Sequence, residues 1–270
     1  MILDAHVHCS GQERQDDVVR VLDEAGIDMA VLLAAFLTPP YSLADADSLR
    51  AANTHLARLM RGRKDRLRGF AVVNPVHGTA LEDCRHALEE LQLDGVKMVP
   101  AGWFPHEDCA RSVFDYVERI GCPMLFHSGI FIDGVSGRFC RPVEFEALRD
   151  FPALRVTLAH LGWPWSDEAI AVGLIDRIKG VAADDCQFRF DLSFGAPPVY
   201  RLEMLRKALA VLGPELLQFG SDCFLPCEAR DFVGRRHELT DLLGELDTPR
   251  ADIARIMAGT ACAWLKLPER

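Results

Sequence analysis

Short apolar runs rich in β-branched residues alternate along this chain with stretches whose apolar positions recur every three or four residues. Eight short runs read as strands: Ile2–His8, Ile27–Phe36, Leu67–Asn74, Gly95–Pro100, Pro123–Ser128, Arg155–Leu161, Gln187–Phe194 and Leu216–Asp222. The segments after them read as helices. Asp17–Ala25 places Val18, Val21, Leu22 and Ala25 on one face and runs into Gly26, which suits the left-handed residue that ends a helix. Leu49–Met60, Ala80–Leu91, Ala110–Ile120, Glu144–Phe151, Asp167–Lys179, Arg201–Leu212 and Phe232–Leu246 follow, and Arg250–Leu265 is the last.

Several strands, such as Met29–Phe36 and Val156–Ala159, are apolar on both faces, as a parallel sheet covered by helices requires. Eight successive βα units in 270 residues predict an α/β fold, a (β/α)8 TIM barrel in one domain spanning 1–270. The rival is an open doubly wound sheet, but neither a GxGxxG nor a Walker A loop follows any strand.

Composition narrows the partners. Forty acidic residues against thirty basic ones, without a Lys/Arg-rich run, exclude a nucleic-acid backbone and favour a small-molecule substrate. No apolar run is long enough for a membrane span. The start, MILDAHVHCSG, lacks the basic and apolar regions of a signal peptide. Nine cysteines without CxxC spacing read as free thiols, so a cytoplasmic protein is expected, and a homodimer is compatible with everything above.

Polar residues gather where the strands end. Asp4, His6 and His8 alternate along the first strand, which predicts that all three face the barrel interior. Two neutral imidazoles at that spacing can reach one cation. His127 ends strand five, His160 strand six and Asp222 strand eight. A barrel delivers all of these to one rim, the end where barrel enzymes act. A purely structural account leaves several buried polar groups without partners. Cys9 and Cys223 adjoin these residues, but the pleat turns neighbours to the opposite face, so neither is expected as a ligand.

Asp4-Ala5-His6-Val7-His8, followed in order by His127, His160 and Gly220-Ser221-Asp222, resembles the amidohydrolase superfamily. The likeness is strongest to the branch that includes aminocarboxymuconate-semialdehyde decarboxylase and related aromatic-acid decarboxylases. Gly259-Thr260-Ala261 is similar to that branch's last helix, with Thr260 where Asn is usual. The resemblance implies one divalent ion, zinc or a similar metal, held by His6, His8, His127 and Asp222. It implies His160 as the acid/base beside it, with Asp222 able to act as a base too. In binuclear members a carboxylated lysine on strand four bridges two metals, and Lys97 stands on that strand. A second ion would then be expected, although a lysine there can equally remain a cation.

Aromatic residues at the strand ends, Trp103, Phe131, Trp163, Phe36, Phe194 and Phe224, are candidate walls for a small planar substrate. Arg138, in the loop after His127, is a candidate carboxylate clamp. Two activities fit. The first is a hydrolase that attacks an amide, ester or lactone with metal-activated water, and the superfamily favours it. The alternative is non-oxidative, metal-dependent decarboxylation of an aromatic or unsaturated acid. A third reading, an inactive metal-binding barrel, fits poorly, because structural zinc sites are closed and thiolate-rich.

Overall fold

The computed structural model describes residues 1–193 and 195–267, so Phe194 and the end of the predicted seventh strand lie outside the described residues. Among the described residues are the strands β1 (Leu3–His8), β2 (Met29–Leu33), β3 (Leu67–Val72), β4 (Gly95–Met98), β5 (Pro123–Phe126), β6 (Arg155–Leu158), β7 (Phe188–Asp191), β8 (Leu217–Gln218) and β9 (Cys223–Phe224). All pair in parallel in one curled sheet of order β8-β7-β6-β5-β4-β3-β2-β1-β9. The helices are α1 (Gln15–Ala25), α2 (Ala46–Leu59), α3 (Ala80–Arg85), α4 (Asp108–Ile120), α5 (Ser166–Ile178), α6 (Pro198–Leu212), α7 (Ala229–Glu245), α8 (Arg250–Ala254) and α9 (Thr260–Leu265). The architecture is α/β and TIM-barrel-like. No helix among the described residues is long and apolar enough to cross a membrane.

Helix ends follow local chemistry. Gly26 and Gly121 stop α1 and α4 at φ 68° and 67°, where a Cβ would be strained. Asp45 starts α2 by accepting from the amides of Asp47 and Ser48 at 3.0 and 3.2 Å.

Two apolar clusters form the core. The larger joins the outer faces of the strands to the helices, through residues such as Val18, Leu22, Ala30, Leu32 and Leu56. The smaller lies inside the curled sheet, where Leu3, Ala5, Met29, Val31, Leu33, Phe70 and Leu125 meet Ala258, Ala261 and Trp264 of the last helical segment. Trp264 is fully buried, and its indole N–H donates to the Arg155 carbonyl at 3.3 Å. The last helical segment therefore seals one end of the interior with apolar side chains, which leaves the polar residues to the other end.

Four predicted elements differ in form, besides the π-turns His86–Glu90 and Arg255–Gly259 within the predicted helices Ala80–Leu91 and Arg250–Leu265. The eighth strand is interrupted: Asp222 takes φ 57°, and β conformation resumes only at Cys223. Strand six ends at Leu158, and His160 and Leu161, at φ 59° and 44°, form a tight turn in Ala159–Gly162. Pro142–Asp150 is a run of 3-10 turns rather than an α-helix.

The fourth difference concerns Asp4. The β1–β2 register shifts between Asp4 and Val7, so β1 bulges. Leu3 pairs with Met29 of the interior cluster, whereas Asp4 pairs with Ala30 of the outer one. Asp4 therefore does not share the face of His8, which pairs with inward Leu33. The expected three-residue inward row fails because one extra residue shifts the alternation by one.

Candidate functional site

At the open end of the strands His6 and His8 bring their Nε2 atoms to 3.1 Å of each other. Asp222 Oδ1 lies 3.5 Å from His6 Nε2 and 3.1 Å from His8 Nε2. The left-handed backbone at Asp222 turns its carboxylate toward the two rings, while its N–H donates to the His6 carbonyl at 2.9 Å. Asp4 works behind this group. Its Oδ1 accepts from the amides of His6 at 3.1 Å and Ser221 at 2.9 Å, tying the bulge of β1 to the segment before Asp222. Burial pushes the Asp4 carboxyl up to about 7, against the pull of these bonds.

Asp191, at the end of β7, organises the other side. Its Oδ2 stands 2.9 Å from His6 Nδ1, and its Oδ1 accepts from the amides of His160 at 2.8 Å and Ser193 at 3.0 Å. The Ser193 hydroxyl also donates to Oδ1, and His160 Nδ1 lies 2.8 Å from the Ser193 Oγ. Burial works to raise the Asp191 carboxyl, but His6, His160 and Ser193 outweigh it and hold it below the usual carboxylate range. An ionised carboxylate only accepts, so His6 carries its proton on Nδ1 and presents a bare Nε2. With the Ser193 proton given to Asp191, His160 likewise donates from Nδ1 and leaves Nε2 for chemistry.

These tautomers decide where a cation fits. His6 Nε2, His8 Nε2 and Asp222 Oδ1 are three converging lone-pair atoms with at most one proton, on His8, to share among them. A divalent ion suits that donor set, with imidazole and carboxylate both good ligands. A second grouping, His6 with His160 and Asp191, is already satisfied by hydrogen bonds. Neither grouping includes a cysteine. Burial lowers the proton affinity of His6, His8, His127 and His160, which suits neutral ligands.

His127 stands outside the tight trio. Its ring centroid is 5.0 Å from that of His160, and its Nε2 donates to the Ile130 carbonyl at 3.0 Å, which leaves Nδ1 bare. Lys97 is 1% exposed, and its Nζ has no hydrogen-bond partner. Burial pulls its ammonium down to about 8, while Asp191 and Asp222 pull it up.

The aromatic candidates separate. Phe224 stacks on His8 at 4.4 Å, Phe36 lies 5.5 Å from the same ring, and Phe131 meets His127 edge-on at 4.9 Å. Trp163 is half-buried at the rim, 6.0 Å from Tyr200. Trp103 is wholly buried in the larger core cluster. Arg138 is exposed with its guanidinium over Phe139, so the structure does not bring it to the histidines.

Asp191 and Ser193 escaped the sequence reading. The signal was present, since Phe188-Arg189-Phe190-Asp191 ends an apolar strand on a carboxylate, as strand eight does.

The sequence profile of the amidohydrolase family matches residues 3–267. No curated protein matches. Solved structures do. A 5-carboxyvanillate decarboxylase from Sphingomonas paucimobilis is 18% identical, with a TM-score of 0.67 over 99% of each chain. A 2,6-dihydroxybenzoate decarboxylase from Rhizobium is 17% identical, with a TM-score of 0.70 over 98% of each chain. A dihydroxybenzoic acid decarboxylase from Polaromonas sp., solved with manganese and the inhibitor 2-nitroresorcinol, is 17% identical, with a TM-score of 0.70 over 100% of this chain and 98% of that one.

Proposed function

We propose, from the premise that this chain belongs to the amidohydrolase family, that it is a metal-dependent, non-oxidative decarboxylase of a small aromatic acid. The observation that carries the reading is the pairing of two separate devices at one end of the strands. One is the lone-pair trio of His6, His8 and Asp222; the other is His160, anchored through Nδ1 with Nε2 left for a proton. The aromatic rings of Phe36, Phe131 and Phe224 beside the histidines suit a planar substrate. The likeness to aromatic-acid decarboxylases along nearly the whole of both chains supports this reading over the hydrolytic one favoured from the sequence.

In this reading the trio, with His127 as the fourth ligand, holds zinc, manganese or a similar divalent ion. When bound, the ion supplies positive charge that withdraws electron density from substrate oxygens. His160, neutral at rest, takes up a solvent proton at Nε2 once the acid is bound and delivers it to the ring carbon that bears the carboxylate. The bond from that carbon to the carboxylate then breaks, CO2 leaves, and the ring keeps the proton. Ser193 and Asp191 keep the imidazole oriented throughout. The sheet is read as a ring in which β8 and β9 are one interrupted strand. The bonds Ala5 N–H to Phe219 O at 3.0 Å and Asp222 N–H to His6 O at 2.9 Å support that closure. Nine free cysteines support a cytoplasmic location.

The test is a panel of hydroxybenzoates incubated with metal-replete protein in D2O. Release of CO2 with deuterium on the vacated ring carbon is expected. Turnover confined to lactones, esters or amides, with oxygen-18 entering from water, returns the assignment to hydrolysis.

A further inference from the structure

Lys97 is the one wholly buried lysine of five; Lys64 is partly exposed, and Lys179, Lys207 and Lys266 are exposed. A lysine stem can reach along apolar surface to put its ammonium in water, but this one is enclosed. Its strand neighbour in β5 is Leu125, a member of the interior cluster, so the side chain enters the interior rather than the helix layer. There its charge acts on His6, His8, His127 and His160, and Asp191 and Asp222 act on it in turn. Yet neither carboxylate bonds it: Asp191 is taken by His6, His160 and Ser193, and Asp222 faces the two imidazoles. A buried ammonium without an acceptor is costly in the folded protein, and such groups persist where a ligand completes them.

Charge counting points the same way. With Lys97 as an ammonium and the histidines neutral, the inward groups carry two negative charges, on Asp191 and Asp222, and one positive charge. A divalent ion at the trio leaves one positive charge in excess. A monoanion neutralises it, and a carboxylate offers the acceptor that Nζ lacks.

We propose that the Lys97 ammonium anchors the substrate's carboxylate, so that the pocket selects monoanionic aromatic acids over their neutral counterparts. This rests on reading the pocket as the reaction site. It needs no particular reaction there.

The experiment is calorimetric titration of the zinc-loaded protein with benzoate and with benzamide, a neutral molecule of similar shape. The parent should bind benzoate about tenfold or more the tighter, the scale of a buried charge pair. Lys97→Met should erase that preference, keep its benzamide affinity and keep its zinc content. A parent without preference for benzoate overturns the proposal, and so does a Lys97→Met variant that retains it. Loss of one of two bound ions in the variant also overturns it, since Lys97 would then be a carboxylated bridge. Should that variant not fold, parent protein labelled with 13C at the lysine Cε carries the decision. Benzoate, and not benzamide, should move the Lys97 resonance, and an unmoved resonance refutes the anchor. If no acid releases CO2 but Lys97 still sets the preference for benzoate, the decarboxylase reading fails and the anchor stands.

Discussion

Asp191 Oδ2 stands 2.9 Å from His6 Nδ1 with both side chains wholly out of solvent, and that single contact turns the unprotonated nitrogen of His6 toward Asp222. The same carboxylate holds the backbone of His160 and the hydroxyl that orients its ring. One residue on β7 thus sets the working atoms of two histidines on two other segments.

Asp191→Asn keeps an oxygen for His6 but removes the charge that fixes its tautomer. Metal affinity should fall about 10–100-fold, the usual effect of losing a group that orients a ligand. Competition against a chromophoric chelator measures it, and unchanged affinity would show that His6 needs no such support.

Two glycines press against the histidines from outside. A Cβ at Gly220 would meet the His6 Cβ at 2.8 Å, and one at Gly195 would meet the His160 Cβ at 2.6 Å. Each alanine variant should lose about 1–3 kcal/mol of stability through overpacking. Their functional effects should split: Gly220→Ala weakens metal binding, whereas Gly195→Ala leaves metal content intact and lowers turnover. Metal analysis beside rate measurement reads the difference, and equal metal loss in both would contradict it.

Asp4 makes stability depend on pH in a direction opposite to most carboxylates. Its folded value of about 7 exceeds the ordinary 3.8, so the folded state binds the proton more tightly than the unfolded one. Its contribution is present at low pH and is lost as pH rises toward and through 7. Between pH 5 and pH 8, Asp4→Asn should therefore gain about 2–3 kcal/mol relative to the parent. Urea unfolding of both proteins at the two pH values checks this; a gap that does not widen means Asp4 is ionised throughout.

His160 and His127 should respond differently to substitution. His160→Asn should keep the ion and lose roughly 10²–10⁴ in turnover, the scale of a general acid–base group. His127→Asn should bind less metal, because the proposed fourth ligand is its Nδ1, left bare by the bond from Nε2 to the Ile130 carbonyl. Elemental analysis of the two variants decides between these roles, and two ions in the parent would replace the mononuclear scheme.

The sequence by itself determined the order of elements and the rim residues. Eight apolar runs separated by amphipathic segments leave little choice but a helix-covered parallel sheet, and His6, His8, His127, His160 and Asp222 all lie within two residues of the end of such a run. Strand periodicity carries that information because it is local. What depended on contacts between distant segments was not legible. The bulge that sends Asp4 away from His8 is set by pairing with β2, and the left-handed turns at His160 and Asp222 are stabilised by bonds to β7 and β1. Tertiary structure alone chose the tautomers, because the proton on His6 is placed by Asp191, 185 residues away. It also separated the aromatics, burying Trp103 in the core and leaving Phe224 on His8. A lysine in the fourth strand is plain in the sequence; that its ammonium would be enclosed without a partner follows only from what the other strands place around it.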